Sequence, residues 1–176
     1  MPKIGYLRRE VSGSVGGFQT TAQVSFARPD NTTAYAAKDV VNNSASAPAV
    51  LTFAGAARVN GGAGYVTKGR LVTNQSTNTA TFRLWLYNVA PTAINDNLPF
   101  TLLWANRAAR IGYIDIGPCA TEGTGSNSAS AQNADARLAF QCAANVSAIY
   151  GVLETLSAFT PASEQAFLVE LTLEQE

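Results

Sequence analysis

The side chains best equipped for chemistry in this chain are its carboxylates. Asp96, Asp115, Glu122 and Glu154 fall in or near candidate loops and strand ends. Two such groups at the right separation run glycoside hydrolysis, one as acid and the other as base or nucleophile. Nothing in their spacing singles out a pair. Asn95-Asp96-Asn97 carries oxygen ligands of the kind calcium takes, but it lacks the spaced ligands and closing glutamate of an EF-hand loop, so it reads as a turn. The chain has no histidine, which removes Ser-His-Asp and Cys-His catalysis, histidine metal sites and the commonest general base near neutral pH. Asn60-Gly61-Gly62-Ala63-Gly64 lacks the Gly-Lys-Ser/Thr ending of a phosphate-binding loop and leads into no helix, which makes it a tight turn. The sequence therefore assigns no catalytic residue, no metal ligand and no cofactor.

A different constellation stands out, made of aromatic and arginine side chains. In Thr79–Tyr87 the residues alternate, with Ala80, Phe82, Leu84 and Leu86 on one face and Thr81, Arg83, Trp85 and Tyr87 on the other. If the even-numbered face enters the core, Arg83, Trp85 and Tyr87 share the opposite face, and Trp, Tyr and Arg together favour protein interfaces. The alternatives are that a loop of the same chain covers these rings or that the sheet is buried on both sides. Trp104 with Arg107 and Arg110 suits either cation–π packing within the chain or contact with an acidic partner. Arg8 and Arg9 sit near the start, ahead of Ser12–Gly17, whose SGSVGG composition is flexible. Two or three positive charges hold nucleic acid weakly at physiological salt, so a protein groove is the better expectation for this arm.

These residues need a scaffold, and the pattern around them predicts strands. Short apolar or alternating runs bounded by Gly, Pro, Asn or Asp occur at Thr21–Phe26, Tyr35–Val41, Val50–Phe53, Tyr65–Thr73, Ile111–Ile116, Leu138–Cys142 and Ser147–Leu156. Phe167–Leu173 alternates as cleanly as Thr79–Tyr87, with Phe167, Val169, Leu171 and Leu173 on one face. Thr101–Arg110 supports one or two helical turns at most, or an ordered loop. So many strands in 176 residues must bury their apolar faces against one another. The expected fold class is all-β, a two-sheet β-sandwich with the jelly roll as first choice. Residues 1–19 are expected to form a flexible N-terminal arm and residues 20–176 a single domain. The stretch 117–137, beginning Gly117-Pro118-Cys119 and rich in Gly, Ser and Asn, is expected to be a long loop.

Composition agrees with a scaffold and narrows its partners. Charged residues make up 14%, well below the roughly 25% of soluble domains, and Ala, Thr, Ser, Asn and Gly take their place. Net charge is +0, so no global field draws the protein to nucleic acid or to an anionic membrane. Met1–Glu10 has no apolar stretch behind its basic residues, and nowhere do about 18 apolar residues run together, so neither a standard secretory signal nor a membrane span is expected. Four Asn-x-Ser/Thr triplets, at Asn31, Asn42, Asn74 and Asn145, carry no meaning without such a signal. Cys119 and Cys142 permit one bridge, and free, partly buried thiols are the expectation.

Phe82-Arg83-Leu84-Trp85-Leu86-Tyr87, Ala90-Pro91-Thr92, Asn95-Asp96-Asn97, Pro99-Phe100, Leu102–Arg107 and Ile111–Asp115 together resemble small virion proteins of tailed phages, the head decoration or cement proteins encoded beside the major capsid protein. Thr20–Pro29, Ile149–Glu154 and Phe159-Thr160-Pro161 extend the resemblance across roughly residues 20 to 173. It implies a non-enzymatic subunit, made in the host cytoplasm and carried on the outside of the virion head. Its implied partner is the major capsid protein, bound by a homo-oligomer, dimer or trimer, that clamps neighbouring capsid subunits. A carbohydrate- or receptor-binding sandwich of a phage fibre is the alternative.

Overall fold

Alternation in the sequence becomes layering in space. The computed structural model describes residues 18–176. The strands are β1 (Phe18–Ala27), β2 (Val40–Val41), β3 (Leu51–Phe53), β4 (Ala63–Thr73), β5 (Phe82–Tyr87), β6 (Arg110–Ile116), β7 (Ala120–Thr121), β8 (Ala129–Asn133), β9 (Leu138–Gln141), β10 (Ile149–Thr155) and β11 (Ala166–Gln175). One turn of 3₁₀ helix spans Trp104–Asn106. The first sheet runs β1-β11-β4-β8-β7, with β9 also on β4, and the second runs β2-β10-β5-β6, with β3 also on β10. All of these pairings are antiparallel. Some of them nest, β5 with β6 inside β4 with β8 and β9, inside β10 with β2 and β3, inside β1 with β11, and β11 with β4 and β10 with β5 join these pairs side by side within the two sheets.

The two sheets form a β-sandwich, and its core is the set of side chains that period two points inward. Phe82, Leu84 and Leu86 of β5 share one buried cluster with Val169 and Leu171 of β11, all without exposed surface. Phe82 meets the rings of Phe167 and Phe159 edge-on at 5.9 and 5.7 Å, and Phe26 stacks on Phe167 at 5.5 Å. Each such side chain stabilises the fold by about 1.5–3 kcal/mol through burial. Gly151 of β10 lies in this layer because no side chain fits, since a Cβ there would meet Leu84 and Phe53 at 3.0 Å.

Four expectations change in detail. The segment Tyr35–Val41 pairs as a strand only at β2, because Lys38 takes a left-handed conformation (φ 76°) that turns the chain. Residues 117–137 are not one long loop, since they contain β7 and β8. Small side chains contribute little core, but a strand is also held by backbone hydrogen bonds, and β8 pairs with β4 from Gly69↔Asn133 to Thr73↔Ala129 on one side and with β7 on the other. The arm gives way to β1 at Phe18, paired with Gln175 and capped by the Arg58 guanidinium 4.3 Å from its ring. The rest of the expected arm, with Arg8 and Arg9, lies outside the described residues. Finally, Asn60–Gly64 is a turn, as expected, but it opens β4, where a Cβ at Gly64 would run into the Glu174 carbonyl.

Both cysteines are free and buried. Cys142 follows Gln141, which pairs with Ala63 at the start of β4, whereas Cys119 precedes β7, which lies beside the strand paired with the far end of β4. At about 3.3 Å per residue that places them on the order of 30 Å apart, beyond the reach of a disulfide. Burial pushes the Cys119 thiol from 9.0 up to about 11 and moves Cys142 in the same direction. Tyr35 and Tyr87 are also raised, chiefly by burial. A proton held more tightly by the folded chain than by the unfolded one means stability that is intact below the unfolded pKa and lost as pH rises past it. Stability against urea should therefore decline from about pH 9 toward pH 11, with neither thiol reacting with a disulfide reagent at pH 8 until guanidinium unfolds the chain. Rapid native reaction at Cys119 would contradict this burial.

Candidate interaction surface

The outer face of the second sheet is built from residues whose inward neighbours fill the core. Arg83 and Trp85 of β5, Tyr113 and Asp115 of β6, and Tyr150, Val152 and Glu154 of β10 alternate with Leu84, Leu86, Ile114, Gly151 and Leu153. Arg83 forks onto Asp115, Nε to Oδ1 at 2.6 Å and Nη2 to Oδ2 at 2.9 Å, and its guanidinium lies 4.0 Å from the centre of the Tyr113 ring. Trp85 donates from Nε1 to Glu154 at 2.6 Å, and the Arg110 guanidinium sits 5.7 Å from its ring. The structure thus gathers Arg83, Trp85 and Arg110 into one cluster.

Tyr87 is not part of an exposed surface. It is 2% exposed and packs with Val40 and Val152 beneath the connection 88–109, which folds back over this face. Asn88 donates its N–H to the Ala109 carbonyl at 2.9 Å and closes the base of the connection. Its middle is tied down by Val40 N–H to Leu98 O at 2.8 Å, Asn97 N–H to Val40 O at 2.9 Å and Phe100 N–H to Lys38 O at 2.7 Å. Phe100 then stacks on Trp85 at 4.9 Å with the rings nearly parallel. Period two placed Tyr87 on the outer face correctly, and a loop of the same chain covers it.

What that connection buries on one side it replaces on the other. Val89, Leu98, Leu102, Leu103 and Trp104 are exposed, and they are five of the eight large apolar side chains that the described residues expose. Trp104 is 78% exposed, with one face of its indole under the Arg107 guanidinium at 3.9 Å, while Arg107 Nη1 donates to the Trp104 carbonyl at 2.6 Å. Trp104 and Arg107 therefore form a second pair, on the loop, distinct from the Arg83–Trp85–Arg110 cluster. Tyr113, 47% exposed, belongs to the first cluster and escaped the sequence reading. The alternation that sends Ile114 and Ile116 inward carries the signal for it.

The carboxylates each have their own partner. Asp96 is buried against Arg28, Asp115 is forked by Arg83, and Glu122 meets Arg70 at 3.3 Å on the surface. Glu154 is buried against the Trp85 indole N–H. Asn95-Asp96-Asn97 is a turn, with Asn97 at φ 59°. Beside Tyr113, a groove of about 290 Å³ is lined by Asp115, Asn133, Asp135, Arg137 and Leu138. No family model matches the chain, and no curated protein matches it.

Proposed function

We propose that this chain is a head decoration or cement subunit of a tailed phage, a non-enzymatic sandwich that binds the outer surface of the shell and stabilises contacts between major capsid protein subunits. The observation that carries the reading is the connection 88–109. It is stitched to the sheet beneath it by backbone hydrogen bonds and the Trp85–Phe100 stack, and it turns Leu102, Leu103 and Trp104 to solvent. Apolar anchors on a rigid support lose little entropy on docking. A subunit that binds the assembled shell and not its separated parts shifts assembly toward the shell by mass action, and repetition over many sites multiplies weak contacts. The nested strand pairing supports a jelly roll as the form of the sandwich. The location proposed is the virion surface, with the subunits acting as homo-oligomers.

The test is co-sedimentation of the purified chain with shells assembled from the major capsid protein of the same phage. Replacing Leu103 and Trp104 by serine should weaken binding at least tenfold, as the loss of a central anchor worth about 2 kcal/mol does. The folded state should be unaffected, since both side chains are exposed. Absence of binding by the unaltered chain, or equal binding by the variant, would remove the proposal. The fibre alternative has its own observation, the groove beside the Tyr113 ring, which suits a sugar. Binding on a glycan array that Tyr113→Ala abolishes would favour it.

A further inference from the structure

Among the described residues, the edge of β1 that faces away from β11 is a long strand edge without a partner or a device against pairing. β1 pairs with β11 along all ten residues, Phe18↔Gln175 to Ala27↔Ala166, and among the described residues with no other strand. Alternate residues of an antiparallel edge strand direct their N–H and C=O groups outward, and among the described residues no backbone group answers those of β1. Such an edge is a template for another strand, and proteins usually blunt it with charge, proline, bulges or short length.

The other edges of the two sheets are blunted in these ways. β7 has two residues and is followed by Glu122, while β2, β3 and β9 have two, three and four residues. β6 carries Arg110 and Asp115 and has an irregular register beside Leu86/Tyr87. β1, with the sequence FQTTAQVSFA, has no proline and no charge. Every other strand longer than five residues carries at least one charge: Lys68 and Arg70 in β4, Arg83 in β5, Arg110 and Asp115 in β6, Glu154 in β10, and Glu170 and Glu174 in β11.

That exception identifies the occupant. In a two-fold contact the residues near the axis lie beside their own symmetry mates, so a charge there would face its like. A strand free of charge over ten residues meets this condition in any centred register. Its outer-face side chains, Gln19, Thr21, Gln23 and Ser25, are exposed amides and hydroxyls that hydrogen-bond well across a strand pair. We propose that a second copy of this chain pairs antiparallel with β1 through β1, joining the two six-stranded sheets into one continuous sheet. β1 lies in the sheet opposite the 88–109 connection, so this inference stands apart from what that connection binds.

Sedimentation equilibrium and hydrogen exchange on the full chain test it together. The chain should sediment at twice its mass of 18.5 kDa, with slowed exchange at alternate amides of Phe18–Ala27. Thr21→Lys with Gln23→Lys places four like charges across the axis from exposed positions. It should raise the dissociation constant at least a hundredfold and speed β1 exchange, while the far-ultraviolet spectrum is unchanged. Should that double substitution unfold the chain, Gln23→Glu alone puts one charge against its mate and should weaken the dimer at least tenfold. A monomer at all concentrations overturns the proposal, whether its β1 amides are protected, as residues 1–17 of the same chain would protect them, or exchange freely. A dimer indifferent to the introduced charges overturns it equally.

Discussion

Replacing Arg28 by methionine should lower the unfolding free energy by about 3–5 kcal/mol, the usual cost of leaving a buried charge without its partner. The Arg28 side chain is 0% exposed and that of Asp96 2%, and the pair meets at 3.3 Å. Arg28 spends its donors on Tyr35 Oη at 3.0 Å, Asn31 Oδ1 at 2.9 Å and the carbonyls of Pro29, Asn31 and Ala162. Asp96 in turn accepts from Tyr35 Oη at 2.5 Å and from the Asn42 N–H at 2.9 Å. One guanidinium thus joins the end of β1, the Tyr35 segment, the residue after β2 and the 88–109 connection. Methionine fills much of the volume but supplies no donor, so the buried Asp96 carboxylate loses its charged partner. For a chain of this size the melting temperature should fall by roughly 6–20 °C, and the urea midpoint should fall with it. Tyr35→Phe removes one donor and one acceptor and should cost less, about 1–3 kcal/mol. Exchanging both charged partners for apolar residues should cost less than the two single changes added together. A loss below about 1 kcal/mol for Arg28→Met would show that this network is not what ties the loops to the sheets.

How much of this was legible in the sequence depends on the range of the interaction. The strands β5 and β11 were readable because their signal is local: alternation sends Phe82, Leu84 and Leu86 inward whatever else the chain does. The short reach of Thr101–Arg110 was equally readable, and it is a single 3₁₀ turn. The burial of Tyr87 was not, because it depends on Phe100 and Ile94 arriving from the following connection. The role of Asp96 was hidden for the same reason. Its neighbours Asn95 and Asn97 signal a turn, but nothing near it in sequence announces an arginine 68 residues away. β7 and β8 lacked a signal of any kind, since Ala, Ser, Gln and Asn in a Gly-rich stretch read as loop, and only the unfilled side of β4 makes a strand of them. The interaction candidates divide in the same way. Trp104 and Arg107 were visible as residue types, whereas Leu102 and Leu103 read only as part of a short helix or ordered loop, and the fold turns them outward.

Trp85 is where scaffold and surface meet, and its replacement should show both dependences at once. The indole does three things: it stacks on Phe100, tilts against Tyr113 at 5.1 Å and gives Glu154 a hydrogen bond of 2.6 Å. Trp85→Phe keeps a ring for Phe100 but leaves a buried carboxylate short of a donor, which should cost about 1–3 kcal/mol. Trp85→Ala removes the ring as well and should cost about 3–5 kcal/mol. The difference between the two variants, read from urea unfolding, measures what the stacked ring contributes. It should appear a second time as faster amide exchange at Phe100 and Asn97, whose N–H groups bond Lys38 and Val40, in Trp85→Ala than in Trp85→Phe, because the Phe100 stack holds this segment to the sheet. If the connection is what docks, Trp85→Ala should also weaken shell binding although its own ring is only partly exposed, by releasing Leu102, Leu103 and Trp104 from a fixed arrangement. Equal losses in the two variants, with unchanged exchange at Phe100, would mean that the connection is held by its backbone hydrogen bonds to Lys38 and Val40 alone.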